Sequence, residues 1–401
     1  MRLKDITTLN PQYRGKELYN NVSFVPMESL RNGSIDLKDI SFAEGKGKYT
    51  YFGNGDLLVA KVTPCFENGN IAIADNLEHG IGFGSSEIFV LRMKKGFLNS
   101  YLFYLSQTSK FQDAACATMC GVGGLKRISP LFMRTYELDL PVLSEQQRIV
   151  EKLDTQLSSI DKRISVLEQQ LDAYARLKKS VIHQAVTRGL NPNVTLKDSG
   201  IEWIGMIPKH WEIRRFKEIF LRYSTGLTPE SKNLNNFSVD ERYTWITIGD
   251  MTSKVVSESF MCLSESVIKE KNPIISRRGS LLFSFKLSIG KTAFAGKDLY
   301  TNEAIVSIPP HRGIELGYFY YLIPFVCEAN ATENIYGAKM LNQKRIANML
   351  FIVPPLSEQQ ETANYLDEKC AKIDAAIENI TKQIDASKRL RKAIINEAIS
   401  G

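Results

Sequence analysis

The sequence predicts an α+β protein built twice over: two domains of short strands, turns and a few helices, each followed by one long α-helix. Three observations carry that prediction. The run LSEQQ occurs at Leu143–Gln147 and again at Leu356–Gln360, an offset of 213 residues. At that offset residues 143–187 and 356–400 align without a gap and agree at 18 of 45 positions, where average composition gives roughly three. Within those segments apolar residues recur at three- and four-residue steps, whereas elsewhere they come in short runs broken by Gly, Asn and Pro.

The first domain is expected over residues 1–142. It opens on Arg2-Leu3-Lys4-Asp5-Ile6, which pairs at the same offset with Arg215-Phe216-Lys217-Glu218-Ile219 at the start of the second domain, 215–355. Asp56-Leu57-Leu58-Val59-Ala60 and Ser280-Leu281-Leu282-Phe283-Ser284 read as matching strands, being short apolar runs bounded by turn residues. Helices are expected at Tyr101 to Lys110 and at Tyr318 to Cys327, where Tyr101-Leu102-Phe103-Tyr104-Leu105 echoes Tyr318-Phe319-Tyr320-Tyr321-Leu322. Lys126-Arg127-Ile128 likewise echoes Lys344-Arg345-Ile346, and Glu87 and Glu303 stand at matching strand starts. The loops between these anchors differ in length and sequence. One scaffold with two loop sets suggests one task performed on two targets.

Each long helix announces its start. Pro141 and Pro354-Pro355 precede it, and Ser144 with Gln147 and Ser357 with Gln360 fit a capping box. The first helix, 143–188, carries Val150, Leu153, Leu157, Ile160, Ile164, Leu167, Leu171 and Tyr174 at coiled-coil spacing. In the second, 356–401, Leu366, Cys370, Ile373, Ile377, Ile380 and Ile384 repeat the seam, and Leu390, Ile394 and Ala398 follow a break at Ser387. A stripe this narrow on a helix of about 65 Å cannot bury itself. It needs a partner, and the economical partner is the other copy; the alternative is a long core helix inside a single globular domain. Residues 189–214 connect the halves.

At 401 residues, 43% hydrophobic and 24% charged, the chain has room for two or three domains with proper cores. Its 51 basic against 44 acidic residues give a net charge of +7, which favours a polyanion without identifying one. The six cysteines (Cys65, Cys116, Cys120, Cys262, Cys327, Cys370) are scattered, with no closely spaced pair of the kind that holds zinc. Buried thiols in a reducing cytosol are expected, and no metal. The start MRLKDITTLNPQY lacks the apolar run of a signal peptide. The most hydrophobic stretch, Tyr318 to Cys327, contains Pro324 and is too short to span a bilayer. A cytoplasmic protein without membrane contact is expected.

No catalytic constellation stands out. The Asn/Asp-Pro-Pro-aromatic loop with which an amino-methyltransferase holds a flipped base is missing. Ile289-Gly290-Lys291-Thr292 hints at a phosphate loop, but that motif needs a Gly where Phe285 stands. Gly82-Phe83-Gly84 and Gly121-Val122-Gly123-Gly124 lack dinucleotide-loop spacing and suit turns. The four histidines (His79, His183, His210, His311) lie in separate contexts, and Glu87 and Glu303 read as solitary carboxylates that cap turns.

Together these residues resemble a known family. A strand-rich domain followed by a helix opened by P-x-L-S-E-Q-Q, twice in one chain, resembles the specificity subunits of type I restriction-modification enzymes. So does the connector, Gly189-Leu190-Asn191-Pro192-Asn193 followed by Lys197-Asp198-Ser199-Gly200-Ile201-Glu202-Trp203-Ile204-Gly205 and Ile207-Pro208-Lys209-His210-Trp211-Glu212. The stretch Lys61-Val62-Thr63-Pro64-Cys65-Phe66-Glu67-Asn68-Gly69-Asn70 after a domain strand is similar as well. One departure is the lead-in Gly200 to Arg214 before the second domain, which the first domain lacks. Its packing must be missing or supplied differently there.

The resemblance implies two target-recognition domains, each reading one half of a split, asymmetric double-stranded DNA site. It also implies a pseudo-two-fold pair of antiparallel helices acting as spacer and dock. Two methyltransferase subunits, and nuclease/translocase subunits for restriction, would bind along the helices. No cofactor is expected in this chain; S-adenosylmethionine, ATP and magnesium would belong to those partners. The chain itself would be non-catalytic, with a stand-alone coiled-coil interaction protein or a DNA-modifying enzyme as the alternatives. DNA contacts are expected on the loops after the anchor strands: Lys61, Thr63, Glu67, Asn68, Asn70, Lys126 and Arg127 in the first domain, and Lys286, Ser288, Lys291, Asn342, Lys344 and Arg345 in the second. Basic residues near the helix ends (Arg176, Lys178, Lys179; Lys388, Arg389, Arg391, Lys392) suit either phosphate contact or the helix dipole.

Overall fold

The computed structural model describes residues 1–15, 19–122, 124–333 and 339–400. Two units emerge: Met1–Gln170 with Ile380–Gly401, and Leu171–Asn379. Each combines one strand-rich domain with part of both long helices, Leu143–Arg188 and Leu356–Ser400.

In the first unit an antiparallel sheet has the order Thr7–Leu9, Ile88–Met93, Leu57–Ala60, Ile71–Ile73. Leu57–Ala60 is buried along its whole length, which is why it reads as an apolar run rather than an alternation. A second sheet orders Lys38–Ser41, Asn21–Val25, Ile81–Gly84 and Thr50–Gly53. The core around Leu3, Phe52, Phe66, Phe89 and Leu102 continues without interruption onto Val150, Leu153, Leu157 and Ile395 of the helices. Domain and helices therefore fold as one body within this unit. The helix expected from Tyr101 to Lys110 is two helices, Asn99–Ser106 and Ser109–Cys116. Thr108 separates them, its hydroxyl capping the second by accepting from the Phe111 amide at 3.3 Å.

The second unit repeats the main sheet in the same order: Ser224–Thr225, Ile305–Ile308, Leu281–Ser284, Thr292–Ala295, with Val255–Val256 added in parallel at the edge. Its core likewise joins Phe283, Tyr318 and Phe319 to Ala185, Val186, Leu366 and Cys370 of the helices. The helix Leu316–Asn330 contains Pro324. Proline cannot donate to the carbonyl four residues back, and that carbonyl, on Tyr320, accepts from the Thr292 hydroxyl at 3.1 Å instead.

Two matches expected between the domains are out of register. The Ile128 amide donates to the Lys61 carbonyl as the Leu341 amide donates to that of Phe285, and Val62 pairs with Arg127 as Lys286 pairs with Met340. The counterpart of Arg127 is thus Met340, while Lys344 and Arg345 lie beyond it in the helix Gln343–Asn348. Similarly, the Lys61 amide donates to Glu87 as that of Phe285 donates to Ala304, so Glu87 corresponds to Ala304 and not to Glu303.

The long helices run antiparallel within the first unit, where Asp161 meets Arg391 at 2.8 Å and Glu168 meets Lys388 at 3.3 Å. In the second unit Lys178 meets Asp374 at 2.6 Å. Of the seam residues, Leu153, Leu157, Leu167, Leu366, Ile373, Ile380 and Ile384 are buried, and Ile160, Ile164, Leu171 and Ile377 are half-buried. Two details differ from expectation. The helix is unbroken at Ser387, which is itself a buried seam position, while Leu390 is 53% exposed. After Ile384 the inward steps run Ser387, Arg391, Ile395, so polar residues occupy two positions of the seam. Ser144 and Ser357 are not caps, because the helices start one residue earlier, at Leu143 and Leu356.

The lead-in before the second domain buries Trp211 with Ile204, Ile207 and Ile352. Trp211 Nε1 donates to Glu358 at 2.8 Å and His210 Nε2 lies 2.6 Å from the same carboxylate. In the first unit the matching Glu145 pairs with Arg148 in solvent, and the Met1 amino group closes the domain edge by donating to the Leu138 carbonyl at 3.0 Å. Cys262, Cys327 and Cys370 are buried, whereas Cys120 is exposed. The turn read at Gly121 to Gly124 includes Gly123, which lies outside the described residues. Among the described residues no helix is long and apolar enough to cross a membrane.

Candidate nucleic-acid interface

The ends of the central strands form a rim on each domain. In the first, residues 61–70 leave the strand Leu57–Ala60, and Arg127 returns beside them paired with both Val62 and Cys120. Thr63 braces this return: its hydroxyl donates to the Gly124 carbonyl at 2.8 Å and accepts from the Lys126 amide at 3.0 Å. Asn70 is buried and closes the turn through its backbone, so its side chain is not offered to a ligand. Glu67 and Asn68 are exposed but line a cleft of about 930 Å³ with Gln107, Asp161, Glu168 and Lys388, at the junction of domain and helices. Lys126 is exposed.

Arg127 forks onto Glu87, Nε to Oε2 and Nη2 to Oε1, both at 2.9 Å. Glu87 is therefore not solitary, and the hydrogen bonds from Arg127 hold its carboxyl below the ordinary glutamate range. Lys61 Nζ lies 5.0 Å over the Phe89 ring. Burial pushes its ammonium down, against the pull of Glu87.

The second rim is chemically different. Lys291 Nζ donates to the Ile248 carbonyl at 2.9 Å, so this lysine serves the fold rather than a phosphate loop. Ser288 is exposed while its carbonyl accepts from the Ser284 hydroxyl, and Lys286 is half-buried. Asn342 caps the helix Gln343–Asn348, accepting from the Arg345 amide at 2.8 Å. Arg345 donates to the Asn330 carbonyl at 3.3 Å, and Lys344 is exposed. Among the described residues, the exposed candidate side chains without a hydrogen-bond partner are Glu67, Asn68, Lys126, Ser288 and Lys344, while Arg127 keeps Nη1 open; all are hydrogen-bonding types suited to base edges or phosphate. The basic residues of the long helices are mostly engaged within the protein: Lys178 with Asp374, Lys179 with Glu328, Lys388 with Glu168 and Arg391 with Asp161. Among the described residues no group of three His, Cys, Asp or Glu is placed to hold a metal ion.

The family model of the type I restriction modification DNA specificity domain matches residues 1–169 and again residues 208–386, once on each half of the repeat. The chain belongs to this family. It is 32% identical over 290 residues to the type I restriction enzyme EcoAI specificity subunit of Escherichia coli, covering 68% of this chain and 46% of that one. The chain thus spans about half the length of that relative. The putative type I restriction enzyme MjaX specificity subunit of Methanocaldococcus jannaschii is 22% identical over 387 residues, 94% of this chain and 85% of that one. A solved structure concerned with complex assembly and conformational transition of the type I R-M system matches with a TM-score of 0.71 at 18% identity, covering 100% of this chain and 96% of that one. That likeness shows a shared fold.

In this specificity-domain chain side chains that repeat faithfully lie where each domain meets its helices, away from the rims. Gln146 and Gln359, the fourth residues of the two LSEQQ runs, are both buried. Gln146 donates to the Pro141 carbonyl at 2.9 Å and accepts from the Leu98 amide at 3.3 Å, at the start of the helix Asn99–Ser106. Gln359 does the same with Pro354 at 2.8 Å and with Glu315 at 3.0 Å, at the start of Leu316–Asn330. About two turns further along the long helices, the Tyr104 hydroxyl donates to Asp154 at 2.5 Å and that of Tyr321 to Asp367 at 2.6 Å. The available signal was identity between the two internal copies at all three pairs, Gln146 and Gln359, Tyr104 and Tyr321, and Asp154 and Asp367.

Proposed function

We propose that this chain is the DNA-recognition subunit of a type I restriction-modification enzyme, reading a bipartite, asymmetric double-stranded site. Residues 1–142 and 215–355 act as the two target-recognition domains, 143–188 and 356–401 as spacer and docking helices, and 189–214 as the connector. What supports the reading most is a single observation: two domains share one strand frame and one attachment to the helices, yet differ in chemistry at their rims. A shared central frame with different rims suits two different half-sites.

On this reading the chain is non-catalytic and works in the cytoplasm. Two methyltransferase subunits bind along the helices, nuclease/translocase subunits join for restriction, and S-adenosylmethionine, ATP and magnesium are held by those partners. Base contacts come from the rims, where Lys126, Arg127, Ser288 and Lys344 are exposed. Incubating the purified chain with DNA and radiolabelled S-adenosylmethionine, with and without the methyltransferase subunit, tests this. Methyl transfer should occur only with both proteins and at one two-part motif. Robust transfer by the chain alone contradicts it and favours a DNA-modifying enzyme, while absence of sequence-specific DNA binding favours a stand-alone coiled-coil protein.

A further inference from the structure

The two rims share the backbone pairings that hold three matched positions and are opposite in character at those positions. Lys61, Glu87 and Arg127 in the first domain stand where the second has Phe285, Ala304 and Met340. The second domain closes the same backbone frame without any charge there, so the frame does not require the charged trio. An exposed ion pair also contributes little to stability. The trio therefore needs another explanation.

Arg127 is unusually fixed for an exposed arginine. Its amide and carbonyl both bond to Cys120, at 2.9 and 3.1 Å. Its guanidinium is gripped by Glu87 along the Nε–Nη2 edge, yet the side chain remains 49% exposed. Nη1 bonds to no described residue. The end of the fork, Nη1 and the second Nη2 hydrogen, is thus free and held in one orientation. Two parallel N–H donors at that spacing match the adjacent O6 and N7 acceptors of guanine in the major groove; adenine offers a donor in place of O6. Pre-orientation by a carboxylate lowers the ordering cost of such a contact.

We propose that Arg127 reads a guanine in the half-site recognised by the first domain, with Glu87 as its positioning residue, and that the second domain makes no such contact because Met340 stands there. This rests on the proposed role in DNA recognition. The test is the methylated motif in cells expressing the full chain with its methyltransferase subunit, for wild type, Arg127→Met, Arg127→Lys and Glu87→Gln. Arg127→Met should make one G:C position of one half-site degenerate, discrimination falling roughly ten-fold or more, while the other half-site and the spacer stay as they were. Arg127→Lys should lose the same discrimination, since an ammonium cannot make the fork, and Glu87→Gln should weaken it while keeping the preference for G. If Arg127→Met abolishes modification, the other two variants decide, and an unchanged motif in both overturns the inference. It is overturned equally by a motif unaltered in Arg127→Met or by degeneracy in both half-sites. A wild-type chain that directs no two-part motif overturns the proposed function, and the inference with it.

Discussion

Tyr104 and Tyr321 show how a single side chain can tie a strand-rich domain to its helix. Each is buried among apolar neighbours and spends its hydroxyl on an aspartate of the long helix, Asp154 or Asp367. Burial first, and then the facing aspartate, holds both phenols above the ordinary tyrosine value. A proton held more tightly in the folded than in the unfolded state gives stability that is complete below about pH 10 and fades as pH rises beyond it. Tyr104→Phe and Tyr321→Phe should each cost about 1–2 kcal/mol in urea unfolding at neutral pH. The stability difference from wild type should shrink as the pH climbs above 10. A difference that does not change with pH would show that the hydroxyls are not what the helices hold. The echo of Tyr104 in Tyr321 was legible in the sequence. Its partner was not, because an aspartate fifty or so residues away carries no local sign of where it points.

At the scale of elements, the start of each long helix was legible to within one residue but its chemistry was not. LSEQQ offers a serine in the place a cap should occupy, and local spacing favours it. Tertiary packing selects instead the buried glutamine, which serves the preceding proline carbonyl and a second helix at once. Gln146→Ala or Gln359→Ala should cost roughly 1–3 kcal/mol by leaving buried groups unpaired, with Ser144→Ala close to neutral; the reverse ranking in denaturant titrations would restore the capping box. The seam shows the same limit. Apolar periodicity located it up to Ile384 and then followed Leu390 outward, because Ser387 and Arg391 hold inward positions without being apolar. Leu153→Ala should accordingly cost about 2–5 kcal/mol, as for other core leucines, and Leu390→Ala almost nothing.

For the whole molecule the repeat carried nearly everything that could be read in advance: two domains, two helices, and one attachment used twice. The rims were the least legible part, since the match of Lys126-Arg127-Ile128 to Lys344-Arg345-Ile346 follows letters, whereas backbone pairing makes Met340, bridged to Lys286, the counterpart of Arg127, bridged to Val62. Candidates chosen by residue type therefore included Asn70 and Lys291, which the fold itself consumes. The central claim is that each domain addresses its own half of the DNA site. Its most direct test is methylome sequencing of cells in which residues 1–142 are exchanged for the corresponding domain of a relative, alongside the unaltered chain. One half of the methylated motif should change to the donor's sequence while the other half stays the same; a change in both halves, or in neither, would contradict the account.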